Sequence, residues 1–288
     1  MPTIAVFSDI HSNYPAFQAC YADALEQGAE GFVFLGDYVS DLAQPREVLE
    51  LVYEIRERYP TYCLRGNRER YMLDCRAGRA EFSPGSKSGS LLFTYGQLRE
   101  RDFRFFESLP IHDILTLSGL TFEIAHASKE DDRFYFEQDS EAIGTVFSRM
   151  AYSLLLTGHS HRQYAVTRNG KTILNPGSVG VPQSGGIDGE YALLTVENGS
   201  LRYRFRQVPY DIKAAIHAQF ASSLVETSGC WGISILYDIL TGEEKTMALL
   251  AEVSRRGSVH DEGLWRVVAE EMGMGFSEED ILEVYRQA

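Results

Sequence analysis

The chain begins with a short apolar run, Ile4-Ala5-Val6-Phe7, and follows it with Ser8-Asp9-Ile10-His11. Apolar and β-branched residues in such a run are typical of a strand that is buried on both faces. Ligands bind at the carboxyl ends of the strands in an open α/β sheet, so Asp9 and His11 can turn toward one point outside the sheet edge. Carboxylate oxygen and imidazole nitrogen are good ligands for a divalent metal ion. Asp-x-His also occurs by chance in many chains, and the pair needs partners.

The same arrangement recurs after the next two predicted strands. Residues 31–35 are a second apolar run, which ends in Gly36-Asp37, and residues 62–64 are a third, which ends in Gly66-Asn67. Strands that alternate with helices in this way predict a parallel sheet with right-handed crossovers. Asp37 and Asn67 should therefore reach the sheet edge that carries the first Asp and His.

Helices are predicted between and after these strands. Asn is a good N-cap and proline favours the first helical turn, which places helices from Asn13 to about Glu26 and from Pro45 to just before Pro60. A further helix is predicted over residues 97–108. Residues 70–93 include a segment rich in Ser, Gly and Pro, so we expect a loop or partial lid over the site there.

A second set of strands carries histidines at its ends. Residues 111–117 and 120–125 predict a hairpin that ends at His126, and residues 153–157 lead into Gly158-His159-Ser160-His161. The remaining predicted strands cover residues 164–168, 172–174, 191–196 and 201–208, with Asn198-Gly199 as a hairpin turn between the last two.

Composition limits the classes of function. The chain has 288 residues and a formal net charge of −14, and an acidic surface repels a phosphate backbone, so stable nucleic-acid binding is not expected. No apolar run is long enough to span a membrane. The four cysteines lie far apart without a CxxC pair and no secretory signal is apparent, so we expect a cytoplasmic protein.

Positive charge is concentrated in one segment of this acidic chain. Residues 65–87 contain only three acidic residues but six cationic ones, namely Arg65, Arg68, Arg70, Arg76, Arg79 and Lys87. Such an island indicates either a local anionic ligand or a solvated loop face.

The residues at the predicted strand ends form one set, made of Asp9, His11, Asp37, Asn67, His126, His159 and His161. Each member alone has an ordinary explanation as a turn former or a satisfied polar group. Seven at successive strand ends favour a metal site. In this order and with their glycines, the motifs Asp-x-His, Gly-Asp, Gly-Asn, His and Gly-His-x-His resemble those of the calcineurin-like metallophosphoesterases, over roughly residues 1–208. Asn175-Pro176-Gly177-Ser178 resembles a segment of their smaller bacterial and archaeal phosphodiesterase branch.

The resemblance implies an α/β fold, a four-layer αββα sandwich, with two divalent metal ions that could be manganese, iron or zinc. It implies that Asp9, His11, Asp37 and His161 hold one ion, and that Asp37, Asn67, His126 and His159 hold the other. The implied reaction is phosphoester hydrolysis by a metal-bridging hydroxide. Asn67, Arg68 and His126 are the predicted catalytic residues.

Arg68 departs from the family pattern, because many members carry His directly after the Gly-Asn. An arginine cannot act as a general acid near pH 7, since its pKa is above roughly 12. It can grip phosphate oxygens, or it can form a salt bridge to Glu69 or another acidic neighbour. Without a proton donor, phosphodiesters with activated leaving groups and nucleotide-type phosphoanhydrides should be the best substrates, so the expected partner is a small phosphorylated, nucleotide-like molecule.

Residues 209–288 form a second predicted unit, a small α-helical appendage that would be a cap over the site, a homodimer surface or a purely stabilising element. Helices are predicted there over residues 211–224, 234–240, 243–255, 264–272 and 278–286. Two other functions stay open, a non-catalytic metal-binding scaffold for a protein partner and a phosphomonoesterase or protein phosphatase.

Overall fold

The first of two sheets carries the parallel strands predicted from the N-terminal pattern. The computed structural model describes residues 3–197 and 200–287. This sheet has the order β10-β9-β1-β2-β3. Its strands are β1 (Thr3–Phe7), β2 (Gly31–Phe34), β3 (Thr61–Cys63), β9 (Gly189–Glu197) and β10 (Ser200–Val208). The first three are parallel, and β9 and β10 extend the sheet in antiparallel fashion. The Asn198-Gly199 turn lies outside the described residues.

The second sheet has the order β4-β5-β6-β8-β7. Its strands are β4 (His112–Leu117), β5 (Leu120–Ala125), β6 (Leu154–Leu156), β7 (Gln163–Arg168) and β8 (Lys171–Pro176). The strands β5, β6 and β8 are parallel, while β4 and β7 pair antiparallel as hairpins. This sheet delivers His126 directly after β5 and the Gly158-His161 segment directly after β6.

Alternation along the strands builds four layers. In β1, Ile4 and Val6 pack against the second sheet, whereas Ala5 and Phe7 face the helices on the outer side. Side chains of successive strand residues point to opposite faces, so one strand serves both interfaces. The helices α1 (Tyr14–Glu26) and α2 (Pro45–Arg58) cover the first sheet, and α6 (Ala142–Arg149) covers the second. The predicted αββα sandwich is confirmed.

The first helix begins as the sequence predicts. The Asn13 side chain accepts a hydrogen bond from the backbone N–H of Ala16, and Pro15 lies in the first turn. Gly28 follows the helix with φ at +81°, a conformation that glycine adopts at little cost.

The prediction of a loop over residues 70–93 is wrong. This region contains most of α3 (Asn67–Arg76) and α4 (Ser86–Gln97), while the helix predicted from residue 97 is α5 (Glu100–Ser108). The serines and glycines of α4 suit turns by propensity, but tertiary packing of a helix overrides that preference. A Cβ on Gly89 would lie 2.2 Å from the carbonyl oxygen of Thr227, so this glycine permits close helix packing.

The C-terminal region is helical, as predicted. Its helices are α7 (Ile212–Ala221), α8 (Leu224–Ser228), α9 (Cys230–Thr241), α10 (Lys245–Arg256), α11 (Glu262–Glu271) and α12 (Glu278–Gln287). Of these, α8 was not predicted. Their apolar core also takes in Leu42 and Val181 from the sandwich, and α4 packs against α8 and α9. Within the described ranges, every helix is too short or too polar to cross a bilayer.

Candidate metal centre

The loops that follow β1 and β2 run side by side and bring the first Asp-x-His next to Asp37. The backbone N–H of Ile10 and that of His11 both donate to the carbonyl oxygen of Asp37, over 2.8 and 3.1 Å. Five of the seven predicted ligands have positive φ angles between 49° and 68°, namely Asp9, His11, Asp37, His159 and His161. Such angles are uncommon for residues other than glycine and cluster at functional sites.

Two of the glycines in the motifs leave room for the carboxylates. A Cβ on Gly66 would lie 2.1 Å from Oδ1 of Asp37, and a Cβ on Gly158 would lie 2.8 Å from Oδ2 of Asp9 and 2.0 Å from Oγ of Ser8. Any side chain at either position would displace a predicted ligand. The Gly-Asn and Gly-His motifs therefore need glycine because any Cβ at these positions would clash with a carboxylate of the site.

The first group of side chains consists of Asp9, His11 and His161. The two Nε2 atoms of the histidines lie 3.1 Å apart. Oδ1 of Asp9 lies 3.4 Å from Nε2 of His161 and 3.9 Å from Nε2 of His11. Oδ2 of Asp9 accepts hydrogen bonds from Ser8 Oγ and from the His159 backbone N–H, which leaves Oδ1 facing the histidines.

The second group consists of Asp37, His126 and His159, with Asn67 beside it. Nε2 of His126 lies 3.1 Å from Oδ1 of Asn67 and 3.5 Å from Oδ2 of Asp37. The same Oδ2 is 3.7 Å from Nε2 of His11. Asp37 therefore stands between the two groups, and the structure brings all seven predicted ligands together.

In three of the histidines, a hydrogen bond from Nδ1, the ring nitrogen that points away from the site, determines which nitrogen carries the proton. Nδ1 of His126 lies 2.9 Å from the carbonyl oxygen of Leu35, and Nδ1 of His161 lies 2.9 Å from that of Val181. A carbonyl only accepts, so each Nδ1 carries a proton and donates it. Nδ1 of His11 lies 3.0 Å from the Asp41 carboxylate and donates likewise. In the neutral rings the Nε2 lone pairs all point into the site.

The site attracts positive charge. Burial opposes the charged form of His11, yet its hydrogen bond to Asp41 and the nearby carboxylates of Asp9 and Asp37 raise its pKa to about 9. Burial also opposes the charged form of His126, and the Asp37 carboxylate still raises its pKa above the ordinary value. By contrast, burial and the charge of His126 lower the pKa of His159 to about 4. Protons supply the positive charge when no metal ion is bound, and metal binding would release them.

The donor set fits divalent metal ions. Nε2 of His11 and Nε2 of His161 lie 3.1 Å apart, and Oδ1 of Asp9 is buried and accepts no hydrogen bond from any residue of the described ranges. Without a metal ion, a proton on His11 lies between the two rings; an ion that replaced this proton would be held by both rings and by Asp9. Nitrogen and oxygen donors of this kind suit manganese, iron and zinc alike.

Asp41 belongs to the site although the sequence analysis missed it. Its buried carboxylate accepts hydrogen bonds from Nδ1 of His11 at 3.0 Å, from Nη2 of Arg68 at 3.1 Å and from the indole N–H of Trp231 at 3.1 Å. A carboxylate that orients a ligating histidine in this way also raises its basicity. The only signal in the sequence is an acidic residue near the second strand end, which is too common to single out.

Arg68 forms a salt bridge, though not with Glu69. Its guanidinium pairs with Asp41 and also lies 3.9 Å from Oδ2 of Asp37. The Glu69 carboxylate instead accepts hydrogen bonds from the backbone N–H groups of Asp37, Tyr38 and Gly66. The side chain of Arg68 is 22% exposed and lines the open cleft at the site, so the salt bridge leaves a face of the guanidinium for a ligand.

The Asn-Pro-Gly-Ser segment connects the two sheets at the site. The side-chain amide of Asn175 donates to the carbonyl oxygen of Gly158 at 2.8 Å and to Oγ of Ser160 at 3.0 Å. The hydroxyl of Ser178 donates to the carbonyl oxygen of Asp9 at 2.7 Å. These bonds hold the loop after β6 against the loop after β1, and so set the spacing within the first group.

A comparison with known sequences identifies the family. The sequence model described as the calcineurin-like phosphoesterase superfamily domain matches residues 3–199. The chain belongs to the calcineurin-like phosphoesterase superfamily. The family that the strand-end motifs predicted is thereby confirmed.

Several known proteins are similar to this chain in sequence or in structure. An uncharacterized protein of Methanocaldococcus jannaschii is 27% identical over 245 residues, which cover 78% of this chain and 95% of the relative. The crystal structure of a metallophosphoesterase from Sphaerobacter thermophilus matches with a TM-score of 0.65 at 22% identity, over 83% of this chain and 99% of that one. A hypothetical protein from Pyrococcus horikoshii OT3 matches with a TM-score of 0.70 at 19% identity, over 84% of this chain and 99% of that one. Residues 1–208 make up less than three quarters of this chain, so both structural matches extend into the C-terminal helices.

Proposed function

We propose that this protein is a dinuclear metal-dependent phosphoesterase that hydrolyses phosphodiesters or nucleotide-type phosphoanhydrides. The observation that carries the proposal is the position of Asp37, whose Oδ2 lies 3.7 Å from Nε2 of His11 and 3.5 Å from Nε2 of His126. One carboxylate between two sets of imidazole donors suits a pair of cations. Membership of a phosphoesterase superfamily supports the same reaction class.

The two side-chain groups would each hold one ion. Asp9, His11 and His161 would bind the first and Asn67, His126 and His159 the second, with Asp37 between them. When bound, two divalent ions would supply Lewis-acid charge that activates water and neutralises phosphate oxygens.

Arg68 and the buried hydrogen bonds around it would bind the substrate phosphate. The exposed face of the guanidinium would hold a phosphate oxygen, because an arginine fork matches phosphate geometry. Asp41 would keep that fork in place by its 3.1 Å bond to Nη2. Arg68 offers no proton to a leaving group near neutral pH, so leaving groups that are stable as anions are favoured.

The metal assignment is tested with Asp37→Asn. This change keeps the size of the side chain but removes the charge between the two groups, so we expect bound metal to fall and hydrolysis of bis(p-nitrophenyl) phosphate to be lost. The matched control is Asp113→Asn, at an exposed position on β4. Metal content by mass spectrometry, turnover and circular dichroism are measured for all three proteins. Native metal content and turnover in folded Asp37→Asn would refute the assignment.

Location and assembly remain predictions from the sequence. We propose a cytoplasmic protein with no membrane partner and no stable nucleic-acid partner. The four free cysteines support the location, and the low pI of about 5.0 argues against nucleic-acid binding. A homodimer would show as a doubled mass in light scattering, and a monomer at all concentrations would contradict it.

A further inference from the structure

We infer that α9 and α10 form a wall of the site that selects the substrate. The preferred substrate is a phosphodiester in which the alcohol that is not the leaving group, here called the non-reacting alcohol, has an apolar face and carries no further phosphate. The inference rests on the proposed phosphoesterase function and narrows it, since it removes the phosphoanhydrides.

One cleft joins the metal centre to the C-terminal helices. It measures about 240 Å³, and predicted ligands line it, including Asp37, Asn67 and His159. Six other lining residues come from outside the part of the chain that matches the family, residues 3–199. They are Trp231, Ile235 and Asp238 of α9, Thr246 and Met247 of α10, and Glu244 directly before α10. A substrate whose phosphate lay between the two ligand groups would therefore place its non-reacting alcohol against α9 and α10.

The described side chains offer no cation in the cleft for a second phosphate. Arg68 is the only lysine or arginine among those that line it, and its exposed face is the group proposed above to hold the reacting phosphate. The other arginines of the cationic island do not line the cleft, and three of them pair elsewhere, Arg70 with Asp132, Arg76 with Glu100 and Arg79 with Asp74. The side chain of Lys87 lies outside the described residues. Of the two interpretations of this island, a local anionic ligand therefore has no support from its arginines beyond Arg68 in the described part of the chain.

The wall itself repels a second phosphate. It presents two acidic side chains, those of Asp238 and Glu244. Burial raises the pKa of Asp238 to about 8, so this group is largely a neutral acid near pH 7 and offers a hydrogen bond to a hydroxyl. Near Glu244, a phosphate on the substrate would meet a like charge, which is costly in a partly desolvated cleft, and the neighbouring cation Arg162 is already paired with Glu137.

The rest of the wall is apolar. Ile235 and Trp231 are buried, while Met247 is 49% exposed at the cleft. An exposed methionine beside buried apolar groups is a flexible surface for an apolar ligand face. Burial of that face by a substrate would stabilise the complex in proportion to the area covered. An uncharged nucleoside has such a face together with hydroxyl groups for Asp238.

The test compares two substrates that release the same leaving group. Thymidine 5′-(p-nitrophenyl phosphate) and its 3′-phosphorylated derivative differ only in a phosphate on the non-reacting alcohol, so the chemical step is held constant. We expect kcat/KM to be at least about tenfold higher for the compound without the 3′-phosphate. Glu244→Gln should narrow this ratio. Glu243→Gln is the matched control, because Glu243 pairs with Lys245 and does not line the cleft, and it should leave the ratio unchanged.

A binding measurement separates this inference from the proposed function. Trp231 lines the cleft, so its fluorescence should report binding of thymidine 5′-phosphate and, at least about tenfold more weakly, of thymidine 3′,5′-bisphosphate. Trp265→Phe should keep the signal, because Trp265 is fully buried and does not line the cleft. Preferential binding without turnover of either diester would refute the phosphoesterase and leave the wall assignment standing. Equal or better use of the 3′-phosphorylated compounds, or no binding of either nucleotide, would overturn the inference.

Discussion

Replacing Asp41 by Asn should weaken metal binding about ten- to a hundredfold, although Asp41 is not itself a predicted ligand. Its carboxylate accepts hydrogen bonds from His11, Arg68 and Trp231. An Asn side chain has one oxygen and one NH2 group, and the NH2 cannot accept. At least one of the three N–H groups therefore loses its acceptor in either orientation of the amide.

The structure allows the size of the effect to be worked out. Nδ1 of His11 and Nη2 of Arg68 both bond to Oδ2 of Asp41, while the indole of Trp231 bonds to Oδ1. A hydrogen bond to a charged group contributes about 1.5–3 kcal/mol, and removal of one partner of a buried ion pair costs about 3–5 kcal/mol. Since Arg68 is partly exposed, we expect the lower end, a fall of about 3 kcal/mol in the free energy of unfolding of the metal-free protein. The loss of metal affinity corresponds to about 1.4–2.7 kcal/mol.

Competition against a chromophoric chelator measures the metal affinity, and urea unfolding of the chelator-treated protein measures stability. The matched control is Asp102→Asn on α5, which disrupts the 3.2 Å pair of another buried aspartate with Arg99 and whose described partners include no predicted ligand. The control should lose stability and keep its metal affinity. Unchanged metal affinity in Asp41→Asn, with a stability loss like that of the control, would refute the role of Asp41 in orienting His11.

Three further predictions follow from the packing around the site. Gly158→Ala should lower metal affinity by displacing Asp9, whereas Gly144→Ala, with open space around the added methyl, should not; equal chelator titrations would contradict this. Burial raises the pKa of Glu190 to about 7, whereas an unfolded glutamate loses its proton above about pH 4.3. Between about pH 4.3 and pH 7 the folded protein therefore binds the proton more tightly than the unfolded chain does. The free energy of unfolding should accordingly fall by up to about 1.4 kcal/mol for each unit by which the pH rises through this range. Glu190→Gln should remove that slope in urea unfolding at stepped pH, and an unchanged slope would refute the assignment. Truncation after Pro209 should expose Leu42 and Val181, which the C-terminal core covers, and cause aggregation in light scattering; a soluble product with unchanged kinetics would contradict it.

The sheet and the candidate ligands could be predicted because local pattern and topology agree. Each of Asp9, Asp37 and His126 follows an apolar run, and parallel strands bring such ends to one edge. The steric need for Gly66 and Gly158 then fixes the form of the motifs. Prediction was reliable here because the apolar runs, the parallel strand order and the steric need for glycine all favour the same arrangement of the ligands.

The contacts that involve distant residues could not be predicted. Asp41 follows Ser40 in a short loop and looks like a turn former, and its partner Trp231 lies 190 residues further along the chain. The helix α4 has a turn-rich composition, and its close contact with α8 at Gly89 appears only in the folded chain. In both cases the deciding interaction is tertiary, and local propensity is a weak guide against it.

One connection between the C-terminal helices and the candidate metal centre consists of two hydrogen bonds in series. Trp231 on α9 donates to one oxygen of Asp41, and the other oxygen accepts from His11. Trp231 also lines the cleft where the substrate alcohol is proposed to bind. We therefore expect a ligand that displaces Trp231 to disturb the orientation of His11 as well. In this proposal residues 1–208 supply the metal ligands, and residues 209–288 supply the groups that contact the substrate beside them.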